Sequence, residues 1–327
     1  MKAILTHASG GSEQLYLGEC ASPSMFKHEL RIKVQAAGVN RADILQRAGK
    51  YPPPQDASPI IGLEVSGVVD AADKNCTRFK KGDRVMALLS GGGYSQYVVV
   101  NENLVMPVPE NIDLIDAAGI PEVFITAYQV LFEIAQLKPY EWVLIHAGAS
   151  GVGTAAIQLC HATGARCITS VRSDQKAEIC KALGADVVIN TSTSPFEEVI
   201  KEVTNIHGAD VIVDPVGAAY FEKNLAAAAM DCRWVLIAGM GGVKVPELNL
   251  AKILTKRISL SGSTLRSSSL EYKSELVRSF IPKFLPQFNS GQIKPVIDKV
   301  FNIEHVAEAH DFMENNRNKG KILLTGF

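Results

Sequence analysis

The chemically richest stretch of the chain runs from His146 to Leu159 and reads HAGASGVGTAAIQL. Gly148, Gly151 and Gly153 lie where an apolar run (WVLIHAG, 142–148) gives way to a helix-like run (TAAIQLCHATG, 154–164). Glycines at a strand-to-helix turn permit positive φ and remove Cβ atoms that would block a pyrophosphate. A helix opening with Gly151, Val152 and Gly153 presents free N–H groups and a partial positive charge to phosphate, and Ser150 adds a hydroxyl. The spacing is G-x-x-G-x-G, weak as a pattern by itself. Its strand–turn–helix setting makes a bound dinucleotide the expectation, with a ligand-free tight turn as the alternative.

The next strand candidate, RCITSV at 166–171, bears on which dinucleotide. NAD-binding folds place a carboxylate at the end of this strand to hold the ribose 2′-OH. Here the strand ends in Ser170 and Val171, followed by Arg172 and, further on, Lys176. Arg172 can flank an adenine 2′-phosphate and Lys176 can pair with it as a point charge. NADPH is the expected cofactor. Asp174 opposes this reading, and solvated helix-start residues are the alternative. Gly239, Met240 and Gly241 follow another strand candidate, RWVLIAG at 233–239, where ligands bind in open parallel sheets.

These residues need a scaffold. The 327 residues are too many for one core and suit two domains. Up to about residue 120, branched runs such as ELRIKVQAAGV (29–39) and EVSGVVDAA (64–72) are cut by Gly, Pro, Asp and Asn, implying a β domain of barrel type. Further on, strands alternate with helices such as DQKAEICKALG (174–184), FEEVIKEVTN (196–205) and YFEKNLAAAAM (220–230). That alternation requires a doubly wound parallel sheet. In the helix at 154–164, Ile157, Cys160 and His161 share one face. ISLSGST (258–264) suits a sheet edge that pairing across a dimer would cover. HVAEAHDFMENNRNKGKILLTGF closes the chain as helix, turn and strand, returning to the first domain. The expected domains are therefore 1–121 with 266–327, and 122–265.

Composition excludes several classes. The net charge is −1 with no basic run, so no nucleic-acid partner is expected. No segment has the length of a membrane span and no leader pattern opens the chain. Six scattered cysteines form no C-x-x-C pair, which argues against a disulfide framework and for a reducing cytoplasm.

Several long stretches carry a family resemblance over essentially the whole chain. They are GVNRADILQRAGKYPPP (38–54), PIIGLEVSGVV (59–69), KKGDRVMALLSGGGYSQYVVV (80–100), AGASGVGTAAIQL (147–159) and RWVLIAGMGG (233–242). The chain resembles the medium-chain dehydrogenase/reductase superfamily, in its zinc-free quinone oxidoreductase (zeta-crystallin-like) branch. The resemblance implies an α/β fold of a GroES-like β-barrel domain plus a doubly wound Rossmann domain, an active site in the cleft between them, and a homodimer or homotetramer. Zinc-dependent relatives coordinate the metal through a Gly-His-Glu motif; here it reads Gly62-Leu63-Glu64, and Asn40 stands where they carry a ligand Cys. No metal is expected, since a catalytic zinc needs about three N, S or carboxylate ligands. Glu64 is left as a structural acceptor.

The implied activity is zinc-free, NADPH-dependent reduction of a quinone or another conjugated carbonyl. The alternatives are reduction of the C=C bond of enones and 2-alkenals, or a non-catalytic NADPH-binding protein. By resemblance Asn40 and Asp43 face the nicotinamide. Asn40 would donate an N–H, and Asp43 would orient Asn40, Tyr51 or a water. Tyr51, before Pro52, Pro53 and Pro54, offers a phenol to the carbonyl. Thr126 matches a position near the cofactor in relatives. Leu265 and Arg266 would lie at the cleft margin, while Asn316, Arg317 and Lys321 would reach the cofactor from a C-terminal turn. His146 reads as a buried, hydrogen-bonded core residue. For Asn40, Asp43, Tyr51 and Thr126 the competing readings are turn, cap, loop packing and helix.

Overall fold

The computed structural model describes residues 1–327 as two compact units, Met1–Ile125 with Leu265–Phe327, and Thr126–Thr264. The sequence puts the changes after residues 121 and 265. The first falls a few residues later because a helix occupies Pro121–Tyr128.

The first unit begins with an antiparallel hairpin of β1 (Lys2–Thr6) and β2 (Leu15–Glu19). Its main sheet is organised on β3 (Glu29–Val39). Leu30, Ile32 and Val34 alternate into the core, each fully buried apolar side chain being worth roughly 1.5–3 kcal/mol. After β3 comes the short helix α1 (Arg41–Arg47). One edge of β3 pairs along most of its length with β4 (Glu64–Ala72), and β4 pairs with β5 (Arg84–Leu88). The other edge of β3 is shared. Its first half pairs with β6 (Tyr97–Asn101), leaving its last residues for a strand from the far end of the chain. β7 (Val105–Pro107) closes the sheet on β5, followed by α2 (Leu114–Ala117) and α3 (Pro121–Tyr128).

The second unit is the alternating fold that the sequence requires. Its strands are β8 (Trp142–Ile145), β9 (Arg166–Val171), β10 (Val187–Asn190), β11 (Ala209–Asp214), β12 (Ala228–Leu236) and β13 (Ser259–Gly262). All pair in parallel, in the order β10-β9-β8-β11-β12-β13. Counted from β8 this is the 3-2-1-4-5-6 order of dinucleotide-binding folds, with the switch point between β8 and β11. The connecting helices are α4 (Gly151–Thr163), α5 (Asp174–Ala182), α6 (Phe196–Val203), α7 (Phe221–Ala227) and α8 (Leu250–Lys256).

Two local expectations fail here. His161 is exposed while Ile157 and Cys160 are buried, so the inward stripe of α4 excludes it. The alanine-rich run ends its helix at Ala227, not Met230, and Ala228 turns extended to begin β12. Helix propensity favours alanine, but pairing with β11 takes Ala228 into the sheet.

The chain then re-enters the first unit. α9 (Leu270–Asn289) buries Leu276, Val277, Phe280, Phe284 and Phe288 along one stripe. β14 (Ile297–Asn302), α10 (Val306–Glu314) and β15 (Lys321–Thr325) follow. β15 is the strand that fills the free half of β3, with Ile322 opposite Val39.

Candidate active site

The pairing of β15 with the end of β3 sets one end of β15 beside Asn40. Asn40 directly follows β3, Lys321 opens β15 and Glu64 opens β4. Glu64 Oε1 accepts from Asn40 Nδ2 at 2.9 Å and pairs with Lys321 Nζ at 2.6 Å; its Oε2 accepts from the Glu122 backbone N–H at 2.9 Å. Lys321 Nζ also donates to Asn40 Oδ1 at 2.7 Å and to the Val39 carbonyl at 2.9 Å. Both charged side chains are inaccessible, 2% and 0% exposed, so the pair survives only because its other hydrogen-bonding capacity is met. Gly38 makes room, since a Cβ there would collide with the Glu64 carboxyl. Glu64 is the structural acceptor expected from the sequence. Asn40 has its amide committed to Glu64 and Lys321. Lys321 is a correction: it is a buried strand residue, not part of a basic turn, because β15 starts earlier than the charged run RNKGK suggests.

Asp43 sits in the first turn of α1 and is fully buried. Its Oδ2 accepts from the Asn40 N–H at 2.7 Å and from the Tyr94 hydroxyl at 3.1 Å, while Oδ1 has no partner. Asp43 thus orients the Asn40 backbone, and it makes no hydrogen bond with Tyr51. The Tyr94 hydroxyl lies 3.2 Å from His310 Nε2, and His310 Nδ1 lies 3.5 Å from Arg47 Nη1. A guanidinium can only donate, so Nδ1 accepts and Nε2 carries the proton. Arg47 ends the chain on Glu314 at 2.6 Å. Burial, with help from Arg47, depresses His310 to about 3, so it is a neutral link. Burial pushes Asp43 up to about 7 against the opposing pulls of the Asn40 N–H, Lys321 and Tyr94. It pushes Glu122 up to about 8, with the Glu64 charge adding to the effect.

Tyr51 is half-buried on its proline loop. Arg266 lies with its guanidinium carbon 5.4 Å from the ring centroid and donates to the Tyr51 carbonyl at 3.4 Å. Burial, then the Glu122 charge, raises the phenol above its ordinary value, and Arg266 pulls the other way. Leu265 and Arg266 are both buried. Asn316 accepts from Arg41 at 2.9 Å, and Arg317 lies over the Phe312 ring.

In the second unit, the glycine turn joins β8 to α4. Its positive φ belongs to Ala147, at 53°, and not to the glycines, contrary to the sequence reading. The glycines are needed for closeness. A Cβ on Gly148 would overlap the Thr169 hydroxyl, and one on Gly153 would strike the carbonyl oxygens of Ala147 and Gly148. Ser150 caps α4 by accepting from the Gly153 N–H at 3.0 Å, which leaves its own proton to donate. The N–H groups of Gly151 and Val152, at the first positions of a 13-residue helix, have no acceptor within the helix. Arg172 is exposed directly after β9, and Asp174 accepts from Asn190 Nδ2 at 2.9 Å. Lys176 lies in the first turn of α5 and Thr126 is half-buried on α3. Gly239, Met240 and Gly241 follow β12, tied to the β11 exit by Met240 N–H to Pro215 O and Gly241 N–H to Val216 O. His146 is the core residue expected: Nε2 meets Asn224 Oδ1 at 2.7 Å and Nδ1 meets Ser170 Oγ at 2.8 Å. These features fit a dinucleotide diphosphate. No three His, Cys, Asp or Glu side chains converge as a metal-holding group, and the cation beside Glu64 is the Lys321 ammonium.

Comparison with known proteins agrees with this geometry. The family models for the alcohol dehydrogenase GroES-like domain and for zinc-binding dehydrogenase match residues 27–110 and 151–280. Human quinone oxidoreductase is 30% identical, over 99% of this chain and 97% of its own length. The chain belongs to the quinone oxidoreductase branch of the medium-chain dehydrogenase/reductase superfamily. Among solved structures, Escherichia coli quinone oxidoreductase complexed with NADPH is similar with a TM-score of 0.90 at 27% identity over 100% of both chains. CurK enoyl reductase is similar with a TM-score of 0.87 at 26% identity, over 99% of this chain and 98% of its own. The first unit is accordingly GroES-like and the second is the Rossmann domain of this oxidoreductase family.

Sequence reasoning passed over Glu122, Tyr94, His310 and Lys273. Pro121-Glu122 is a helix-start signature that points to the first of these. Nothing in sequence brings His310 to Tyr94, since the contact spans 216 positions.

Removing one member of a buried pair leaves a bare charge. Lys321→Met is expected to lose about 3–5 kcal/mol in urea unfolding, with part regained when Glu64→Gln is added. Asp43 binds its proton more tightly folded than unfolded, so its contribution is largest below about pH 4 and fades as pH rises towards 7. Melting temperatures of Asp43→Asn across pH 4 to 8 should show a flatter decline than the parent; an unchanged slope would contradict the assignment.

Proposed function

We propose that this chain is an NADPH-dependent reductase of quinones that works without zinc. One observation carries the reading: the open N-terminus of α4 at the switch point is followed by a second strand that ends at Val171, with Arg172 next and no carboxylate at the strand end. The Gly151 and Val152 N–H groups and the Ser150 hydroxyl would hold the diphosphate, with Gly239–Gly241 beside it. Arg172 and Lys176 would hold the 2′-phosphate, and the bond from Asn190 occupies Asp174. Thr126 would sit near the nicotinamide. The NADPH complex of the E. coli neighbour supports this choice.

The bound cofactor would supply the hydride, the one element of chemistry that the side chains do not provide. As an acceptor takes the hydride, its carbonyl oxygen becomes negative. In this reading the Tyr51 phenol would meet that oxygen with an O–H and yield the proton that completes the hydroquinone. Asn40 and Asp43 act by positioning, because the Asn40 amide is held by Glu64 and Lys321, and Asp43 holds the Asn40 backbone. The likeness to an enoyl reductase favours a second reading, reduction of the C=C bond of enones and 2-alkenals by the same hydride geometry.

The test is NADPH oxidation with an ortho-quinone beside a 2-alkenal. The quinone should turn over faster, NADPH should exceed NADH at least about tenfold in kcat/KM, and Tyr51→Phe should lower kcat at least about tenfold. Equal efficiency with NADH, or unchanged turnover of Tyr51→Phe, would refute those parts.

We also infer a homodimer or homotetramer in a reducing cytoplasm. No helix is long and apolar enough to cross a membrane, and all six cysteines are free. β13 is the last strand of its sheet, and Leu260 on it, with Met240, Val243, Leu248, Leu250 and Leu254 nearby in sequence, is exposed. Light scattering at micromolar concentration should give twice the chain mass or a multiple of it; a monomer would remove the inference.

A further inference from the structure

Four lysine and arginine side chains are buried: Arg47, Arg266, Lys273 and Lys321. Arg47 and Lys321 each have a carboxylate at 2.6 Å. Arg266 and Lys273 have only neutral partners. Arg266 Nε donates to the Ser90 carbonyl at 2.8 Å, Nη1 to the Tyr51 carbonyl at 3.4 Å and Nη2 to Gln46 Oε1 at 2.8 Å. Lys273 Nζ donates to Ser90 Oγ at 2.7 Å and to the Arg266 carbonyl at 3.3 Å.

Two neighbouring cations withdrawn from water without a counter-ion are costly, several kcal/mol for each ion by general experience. Burial makes both weaker bases than usual. Asp43 acts on Arg266 and Glu122 acts on both cations, and burial raises both of these carboxyls well above the ordinary carboxylate range. Neither cation has a carboxylate in direct contact. The Arg266 guanidinium is stacked over the Tyr51 ring.

We propose that Arg266 and Lys273 form an electrostatic wall for acceptors whose reacting oxygen becomes an anion, with Tyr51 as the group in contact and Arg266 as its positioning residue. This rests on the reductase reading above. A neutral quinone that accepted a hydride from bound nicotinamide, whose C4–H bond would break as the new bond to hydrogen formed, would become a hydroquinone monoanion. The anion then takes the Tyr51 proton, and the resulting phenolate recovers one from solvent. Negative charge sits first on the acceptor and then on the phenolate, beside the Arg266 guanidinium, with Lys273 behind it on the Arg266 carbonyl and Ser90 Oγ. A neutral ground state gains little from them, so their effect falls on kcat and not on KM. Carbonyl acceptors are the substrate class selected, and acceptors bearing a positive charge are disfavoured.

Two measurements test the proposal. The first needs no cofactor: the Tyr51 phenol is titrated by ultraviolet difference between each protein and its Tyr51→Phe counterpart. Glu122 and Arg266 are the charged groups acting on this phenol, and Glu122 is kept in all variants. Arg266→Met should raise the midpoint by on the order of one pH unit, and Arg266→Lys, which keeps the charge but not the fork, should raise it less. An unmoved midpoint in Arg266→Met overturns the proposal. The second is turnover of an ortho-quinone with NADPH. Lys273→Met and Arg266→Met should each lower kcat on the order of tenfold with KM nearly constant, and the loss should largely vanish in a Tyr51→Phe background. Losses that persist in full there overturn the proposal, as would a loss confined to KM. If the parent protein turns over no quinone at all, the reductase reading fails, while the phenol titration still decides whether the wall acts on Tyr51.

Discussion

The buried ion pair between Lys321 and Glu64 is the constraint on which the first unit turns. Its members open two strands far apart in sequence, and Asn40 bridges them from the end of a third. A charge pair with no solvent access tolerates little displacement, because any gap leaves an ion unpaired in a low dielectric. The pair therefore fixes where β15 meets β3, and with it the position of Asn40. The Glu122 backbone N–H on the same carboxylate ties α3 to the same point.

From that anchor a second polar chain runs through Asp43, Tyr94, His310 and Arg47 to Glu314. Its donors and acceptors have one consistent direction, since Arg47 can only donate and His310 is neutral. Buried polar networks favour a single arrangement to the extent that their members are satisfied. In this polar chain only Asp43 Oδ1 is buried without a partner.

The Rossmann unit uses a parallel device. His146, Asn224 and Asp214 form a buried chain under the carboxyl ends of β8 and β11. Asp214 in turn accepts from the N–H groups of Val216 and Gly217, which begin the loop at the switch point. The phosphate-facing turn rests on this base, and the missing Cβ atoms of Gly148 and Gly153 let it lie close to β9 and to its own backbone.

The sequence by itself determined a good deal. Branched runs with breakers gave the β unit, and alternating strands and helices gave the parallel sheet, because local hydrophobic period is a local property. It also located the glycine turn, the lack of a carboxylate at the end of β9, Glu64 as an acceptor and His146 as core. The stripe of Val277, Phe280, Phe284 and Phe288 in α9 was equally open to reading, though Pro282 and Pro286 disguise it as a loop. Tertiary structure alone decided the rest. It placed Lys321 inside, committed the Asn40 amide, stacked Arg266 on Tyr51 and left Lys273 without a counter-ion. Each of these depends on which distant backbone a side chain meets, and whether a charge is matched is a sum over neighbours that no stretch of sequence contains.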